Sequence, residues 1–309
     1  MRRTSFVPEG HPRVSGLVSI VTPCLDGATF LAKTIESIMA QTYGRVEYIV
    51  VDGGSADASL AIADRFGSRL TVISAPRSSQ TEATNAGFRA SRGEFFGFIG
   101  ADDVLAPTAI EELVAALRAS PEAPYAYADA HFIGVNDEIL GIYPTRDFDL
   151  AALAQSCYVC QPATLIRADA FESVNGLDER YDAAFDYDLW IRLGLSHRPP
   201  IRLGRFLAGA RMHRGTKTYR TRRENLREIR SIVRRHFGYV PFSWVHAYAG
   251  IALSNCDTFF DPPRGSFQRT LVTLLVGLAD NRGTPATFLR EFASEVTRLR
   301  REKRLGNGR

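Results

Sequence analysis

Leu17-Val-Ser-Ile-Val-Thr22 and Glu47-Tyr-Ile-Val-Val-Asp52 are two short apolar runs rich in β-branched residues, the composition of strands buried on both faces. Between them Phe30, Leu31, Ile35, Ile38 and Met39 recur at helical spacing, with Lys33 and Glu36 on other faces. Strand, helix and strand in that order form a parallel crossover unit, because two parallel strands need a long connection. The alternation continues outward. Residues 70–74 are expected as a strand, 81–90 as a helix, 94–100 as a strand and 107–119 as a helix with Pro107 in its first turn. This predicts an α/β fold with a mostly parallel central sheet.

Beyond Pro124 the pattern changes. Residues 125–133 and 138–143 read as strands joined through Gly134 and Asn136-Asp137, a hairpin signal that predicts an antiparallel edge. Residues 186–195 are expected as a helix, 201–212 as extended chain, and everything from 222 onward as helical. Residues 1–16 lack the apolar segment of a signal peptide and are expected as a flexible tail. The expected organisation is therefore a tail over 1–16, a main domain over 17–220 and a helical C-terminal extension over 221–309.

The 309 residues are 45% hydrophobic and 23% charged, an ordinary globular composition. With 38 Lys and Arg against 34 Asp and Glu, the net charge of +4 is too balanced for a general nucleic-acid binder. The four cysteines, Cys24, Cys157, Cys160 and Cys256, are too few for a disulfide framework and point to a reducing compartment. Cys157 and Cys160 form a C-x-x-C with no second pair, which favours buried thiols over a zinc site. Residues 198–235 hold 13 Lys and Arg and two Glu, a local excess of +11 that leaves the rest of the chain at −7. Such a stretch is a solvated helix face, a diphosphate site or a surface for anionic headgroups. Residues 238–256 carry no charged residue, but Pro241, Ser243, His246, Ser254 and Asn255 make them a poor membrane span. A second basic cluster at Arg298–Arg304 suits peripheral membrane contact.

In open α/β sheets ligands bind beyond the carboxyl ends of the strands, and three of those ends carry acids. They are Thr22-Pro-Cys-Leu-Asp26, Asp52-Gly-Gly-Ser-Ala-Asp57 and Gly100-Ala-Asp-Asp-Val104. Paired carboxylates such as Asp102 and Asp103 repel unless a cation lies beside them, and oxygen ligands favour Mg²⁺ or Mn²⁺ over zinc. A helix cap is the competing reading of that pair. The first strand is followed by Pro23-Cys-Leu-Asp-Gly-Ala, not by the G-x-G-x-x-G of a dinucleotide site, and no P-loop motif occurs.

Together with Thr34-Ile-Glu-Ser-Ile-Met-Ala-Gln-Thr42, Asn85-Ala-Gly-Phe88, Gln161-Pro-Ala-Thr164, Asp186-Tyr-Asp-Leu-Trp190 and Arg211-Met-His213, these stretches resemble family 2 glycosyltransferases over about residues 17–220. The resemblance implies a GT-A type fold and a metal-dependent inverting transferase. Its donor is a nucleotide-sugar, a UDP-sugar first, and its acceptor a glycan or a lipid-linked glycan in cell-surface polysaccharide synthesis. It also implies residue roles. Thr22 and Pro23 line the nucleotide pocket, Asp52 accepts a hydrogen bond from the pyrimidine, and Glu82 and Asn85 complete that site. Asp102 lies near the ribose and shares the metal motif with Asp103; Arg211, His213 and Lys217 close over the diphosphate, with His213 a metal ligand. Asp186 is the general base and Asp188 the second choice.

Two departures accompany the match: Phe185 stands where many relatives carry an acid, and Leu25 where an aromatic is common. A catalytically silent nucleotide-sugar-binding partner is the alternative they leave open. The expected location is the cytoplasm, with peripheral contact at the inner face of the cell membrane.

Overall fold

The computed structural model describes residues 12–196, 198–254 and 267–306, with the side chains of 254, 300 and 302–306 set apart. Cys256 and residues 1–11 of the expected tail therefore lie outside the described residues. By packing, the chain divides into two units. The first is residues 1–150 with 158–213; the second is 151–157 with 214–309.

The first unit begins with β1 (Val14–Cys24), α1 (Leu31–Met39), β2 (Val46–Asp52), α2 (Ser59–Asp64), β3 (Thr71–Ser74), α3 (Gln80–Ala90) and β4 (Gly93–Phe98). The next elements are β5 (Val104–Leu105), α4 (Ala109–Ala119), β6 (Tyr125–Ile133) and β7 (Ile139–Ile142). After α5 (Leu150–Gln155), which falls almost wholly in the second unit, come β8 (Thr164–Arg167), α6 (Ala168–Ser173), α7 (Phe185–Ser196) and β9 (Ile201–Arg211). β1 starts at Val14, inside the stretch expected as tail, because Val14 pairs with Gly93 and its N–H donates to the Arg92 carbonyl at 2.8 Å.

One sheet runs β3-β2-β1-β4-β8-β6-β9-β5, with β7 paired to β6. Parallel ladders join β3, β2, β1 and β4, and a long one joins β6 to β9. The antiparallel pairings are short, and they are not confined to an edge: β8 inserts between β4 and β6, and β6 itself is internal. The expected hairpin is thus a sheet-centre strand carrying β7 as an outrigger. Register decides the site. Cys24 pairs with Asp52 and Val21 with Phe98, so the loops after β1, β2 and β4 leave the sheet side by side at its carboxyl end.

The core explains the runs that predicted the strands. Val18, Ile20, Val50 and Phe95 are buried in one cluster with Leu31, Ile35 and Ile38 of α1 and Ile110, Leu113 and Leu117 of α4. Burying each such side chain contributes roughly 1.5–3 kcal/mol. A second, aromatic cluster joins Phe88 of α3, Phe96 of β4 and Phe171 of α6 at 4.6–5.6 Å between ring centroids.

The second unit adds α8 (Lys217–Arg220), α9 (Arg222–Phe237), α10 (Phe242–Ser254), α11 (Phe267–Asp280) and α12 (Pro285–Gly306). Residues 151–157 belong with it: the Trp244 indole N–H donates to the Ala154 carbonyl at 2.9 Å and the Ser243 hydroxyl to that of Gln155. α9 ends at Gly238 with φ 70°, the left-handed conformation that stops a helix without a Cβ penalty. Phe242, Val245, Ala249 and Ile251 of the uncharged stretch are buried, and among the described residues no helix is long and apolar enough to cross a membrane.

Candidate active site

Two loops make the first wall of the site. The loop after β1 is laced to the loop after β2: the Asp26 carboxylate accepts from the Ala56 N–H at 2.8 Å, and Asp57 accepts from that of Ala28 at 2.9 Å. The Ser59 hydroxyl accepts from the Gly27 N–H at 2.9 Å. Asp52 closes β2, 3% exposed, and its carboxylate accepts the N–H groups of Gly54 and Ser55, so an acceptor is held rigid at the strand end. Thr22 is fully buried and shares its hydroxyl with the Tyr48 phenol at 3.0 Å, which leaves only its backbone to line a pocket. Pro23 sits in the strand opposite Val51. Leu25, by contrast, is 62% exposed. Cys24 is buried and burial pushes its thiol up, so it is an inert packing group.

The acid pair forms the floor. Asp102 and Asp103 turn back over Gly100: a Cβ at Gly100 would meet Asp102 Oδ1 at 2.7 Å and Asp103 Oδ2 at 3.0 Å. Both carboxylates thus face the backbone of Gly100, where an added side chain would collide with them. Asp103 is only half-buried by exposure, yet the protein packed around its carboxyl, and then the Asp102 charge, push it up to about 8. Against that, the Arg211 N–H donates to Asp103 Oδ1 at 2.8 Å. Such a carboxyl wants a proton or a cation. The His213 ring stands 3.2 Å from Asp102 Oδ2 and packs on Phe30 at 4.9 Å between centroids.

Two carboxylates and an imidazole fit a hard divalent ion that completes its shell with water and phosphate oxygens. Among the described residues no three or more His, Cys, Asp or Glu side chains stand close enough together to hold a metal ion by themselves.

Arg211 is built into this floor. Its side chain is fully buried. Nε donates to the Asp102 carbonyl at 2.7 Å, Nη1 to the Gly134 carbonyl at 2.5 Å, and Nη2 pairs with Asp137 at 2.6 Å. The guanidinium also lies 4.7 Å over the Phe30 ring. Nε thus holds the loop that carries the acids, while Nη1 and Nη2 face Gly134 and Asp137 of the turn between β6 and β7. The Lys33 ammonium beside Asp137 holds that carboxyl below the usual carboxylate range, which keeps the clamp ionised. Lys217 opens α8 in the second unit.

Glu82 and Asn85 also have structural duties. Glu82 and Ser79 form a reciprocal capping box at the start of α3, with the Ser79 N–H donating to Glu82 at 2.7 Å. Asn85 is 3% exposed and makes three bonds, donating to the Leu177 carbonyl and Glu179 and accepting from the Leu177 N–H. It ties α3 to the 177–179 loop and has little left for a ligand.

Asp186 is the second residue of α7, half-buried, and accepts the Tyr187 N–H at 2.8 Å. Packing sets its position: Phe185 and Trp190 of α7 lie against Phe98, the last residue of β4, at 5.8 and 6.3 Å. The Gln161 amide donates to the Phe98 carbonyl from the other side. The departure at Phe185 is thus a packing residue that anchors the helix to the strand feeding the acid pair. Asp188 is fully buried and paired with Arg192 at 2.6 Å, which corrects its standing as second choice for a base.

Several residues in this frame escaped the sequence reading. Thr34 donates to the Asp103 carbonyl at 2.7 Å, Ser37 accepts from the Leu105 N–H and Gln41 donates to the Ala106 carbonyl, so α1 holds the backbone after the acid pair. All three lie in the stretch 34–42 that carries part of the family resemblance, but no role was read for them from sequence.

Residues 19–174 match the sequence model of the family described as Glycosyl transferase family 2. The chain belongs to that family. The O-antigen biosynthesis protein RfbC of Myxococcus xanthus is 34% identical over 200 residues, covering 62% of this chain and 16% of that protein. Glycosyltransferase RP339 of Rickettsia prowazekii, itself uncharacterized, is 28% identical over 191 residues, 58% of each chain. The PGL/p-HBAD biosynthesis glycosyltransferase of Mycobacterium bovis is 32% identical over 181 residues, 57% of this chain and 69% of that one. The chain thus spans less than two thirds of the length of the first two relatives.

In fold, Staphylococcus aureus TarS 1–349 in complex with UDP has a TM-score of 0.60 at 14% identity, covering 89% of this chain and 91% of that one. The Pyrobaculum calidifontis mannosyltransferase PcManGT, in complex with GDP-Man and Mn²⁺, has a TM-score of 0.57 at 16% identity, covering 94% and 88%. The family 2 chain described here therefore has the GT-A type fold.

Proposed function

We propose that this chain is a divalent-cation-dependent, inverting glycosyltransferase that moves a sugar from a nucleotide-sugar, a UDP-sugar first, to a glycan or lipid-linked acceptor in the building of surface polysaccharide. The observation that carries the reading is the placing of Asp102 and Asp103 against Gly100 at the carboxyl end of β4, the His213 ring beside Asp102, and Asp186 in the first turn of the helix packed on that same strand end. The names of the relatives lend support: one belongs to O-antigen biosynthesis, and TarS and PcManGT were solved with UDP and with GDP-Man and Mn²⁺.

In this reading Asp52 offers its fixed acceptor to a ring N–H of the base, while the 24–28 and 53–57 loops shape the nucleotide pocket. Asp103, Asp102 and His213 would hold Mg²⁺ or Mn²⁺, which supplies Lewis-acid stabilisation of the charge on the departing diphosphate. Asp186 takes the proton of the acceptor hydroxyl as that oxygen forms its bond to the anomeric carbon and the bond to the diphosphate breaks. Attack from the opposite face inverts the anomeric centre. Arg211, Thr34, Gln41 and Asn85 act as positioning residues that fix the loops, and Lys217 remains a candidate contact to the diphosphate. The enzyme works in the cytoplasm, in peripheral contact with the inner face of the membrane; exposed Phe267, Leu271 and Leu275, which share one face of α11, support that contact.

The test is nucleotide release from UDP-, TDP- and GDP-sugars with Mn²⁺ and a cell extract supplying acceptors. Asp103→Ala is expected to abolish cation-dependent donor binding. Asp186→Asn is expected to keep donor affinity and lower kcat by about a hundred- to ten-thousand-fold. Equal loss of binding in both variants overturns the division of roles, and no release with any donor favours the silent binding partner.

A further inference from the structure

We infer that the second unit carries a separate anion site, a cavity on α9 that takes a phosphate ester or diphosphate group. The inference is independent of the sugar-transfer reading. The cavity has a volume of about 360 Å³ and is lined by Arg227, Arg230, Ser231, Arg234, Arg235 and Asp280.

Helical geometry gathers the lining. Positions 227, 230, 231, 234 and 235 fall on one face of α9, separated by three, four, seven and eight residues. The opposite face buries Leu226, Ile229, Ile232 and Val233, so the arginines cannot turn inward. Asp280, the last residue of α11, is the single carboxylate of the lining. Arg230 takes it with two bonds, Nε at 2.6 Å and Nη2 at 2.7 Å, and lies 4.2 Å over the Tyr248 ring. The lining keeps a formal excess of three positive charges, and one planar fork within it is already held rigid. Arg227 also leans on Glu224 at 3.6 Å, but that pair is exposed and weak.

A helix C-terminus attracts cations, which accounts for Arg234 and Arg235 in the last turn. It does not account for Arg230 and Arg227, one and two turns earlier on the same face. Several guanidiniums around a polar concavity, short of carboxylates, match the oxygens of a phosphate group, which Arg binds through paired N–H donors. The apolar stripe Phe267, Leu271 and Leu275 lies on the face of α11 turned away from Asp280, so the charged cavity and that stripe are distinct surfaces.

The shared chemistry has two sources, a soluble diphosphate or the phosphate of a lipid headgroup, and two probes separate them. Inorganic pyrophosphate is titrated into the full chain at low salt in EDTA, so that no divalent cation carries it to Asp103. Vesicles of phosphatidylglycerol, against vesicles of phosphatidylcholine, are co-sedimented with the same protein. Arg227→Gln with Arg234→Gln is expected to weaken binding of at least one anionic probe by about tenfold or more. Asp102→Asn with Asp103→Asn is expected to leave it unchanged. Ser231→Asp, which sets a carboxylate among the guanidiniums at an exposed helical position, gives the same loss by an independent route. Loss confined to pyrophosphate names a soluble ligand, and loss confined to phosphatidylglycerol names a headgroup. If neither probe distinguishes these variants from the unaltered chain, the proposal is overturned.

Discussion

Arg211 and Arg234 belong to the same basic stretch of sequence and meet opposite fates. Arg211 is fully buried, and its donors serve two carbonyls and Asp137. Arg234 is exposed on a helix face beside a cavity. Between them runs the division of the chain at His213, so the local excess of +11 is two populations. In the first unit Arg202 is spent on Asp129 and Asp147, Arg205 on Glu112 and Arg211 on Asp137. In the second, four arginines line the cavity, where Arg230 pairs with Asp280 and Arg227 with the exposed Glu224. A run of charge along the sequence says how much cation there is; the fold says how much of it is available to a ligand.

The comparison can be broken most directly at Arg211. Arg211→Ala leaves two buried carbonyls without donors and Asp137 with Lys33 alone, and it should destabilise the first unit by about 2–4 kcal/mol. Arg211→Lys should recover little of this, since one ammonium cannot reproduce the fork. Urea unfolding followed by tryptophan fluorescence checks both; a cost below about 0.5 kcal/mol for the alanine variant would mean that the clamp is not structural.

A change of similar kind probes the packing that holds the second unit's helices. A Cβ at Gly277 would meet the buried Phe288 ring at 1.8 Å, and Gly277→Ala is expected to cost about 1–3 kcal/mol, read as a lowered Tm.

A smaller effect comes from pH. Burial, and then the nearby Arg269 charge, push His246 down to about 4 from its usual 6.5. The unfolded chain therefore binds the proton at a pH where the folded chain does not. Stability present at pH 7 is lost as pH falls from about 6.5 toward 4, by about 1 kcal/mol per pH unit within that window. His246→Asn should flatten that part of the profile, and an unaltered slope would remove His246 as its source.

The smallest effect is expected at the cavity itself. Arg234→Gln should change stability by less than about 0.5 kcal/mol, because the position is an exposed one on a helix. Any larger loss in thermal unfolding would make the arginine face structural and erase the contrast with Arg211.

Much of the first unit was legible because its signals are local. The runs at 17–22 and 47–52, the helical spacing of Leu31 to Met39 and the strand at 125–133 are each decided by side chains within a few residues. β8 was not read, since Thr164–Arg167 is a strand only by pairing with Phe95 and Phe96 on one side and Tyr125 to Tyr127 on the other. The placement of β6 inside the sheet was hidden for the same reason. In the site, the acids after the strands could be named from sequence, but the burial of Thr22, Asn85 and Arg211 could not.

What the sequence alone determined was the alternation of strand and helix, the family and the set of acids that the strand ends deliver to one edge of the sheet. What only the tertiary structure decided was which polar groups are still available there. Periodicity is a property of neighbours along the chain, whereas the partner that consumes a guanidinium or an amide comes from far away: 73 residues for Arg202 and Asp129, 92 for Asn85 and Leu177, 109 for Arg211 and Asp102. A hydrogen bond depends on distance in space and not on spacing in sequence.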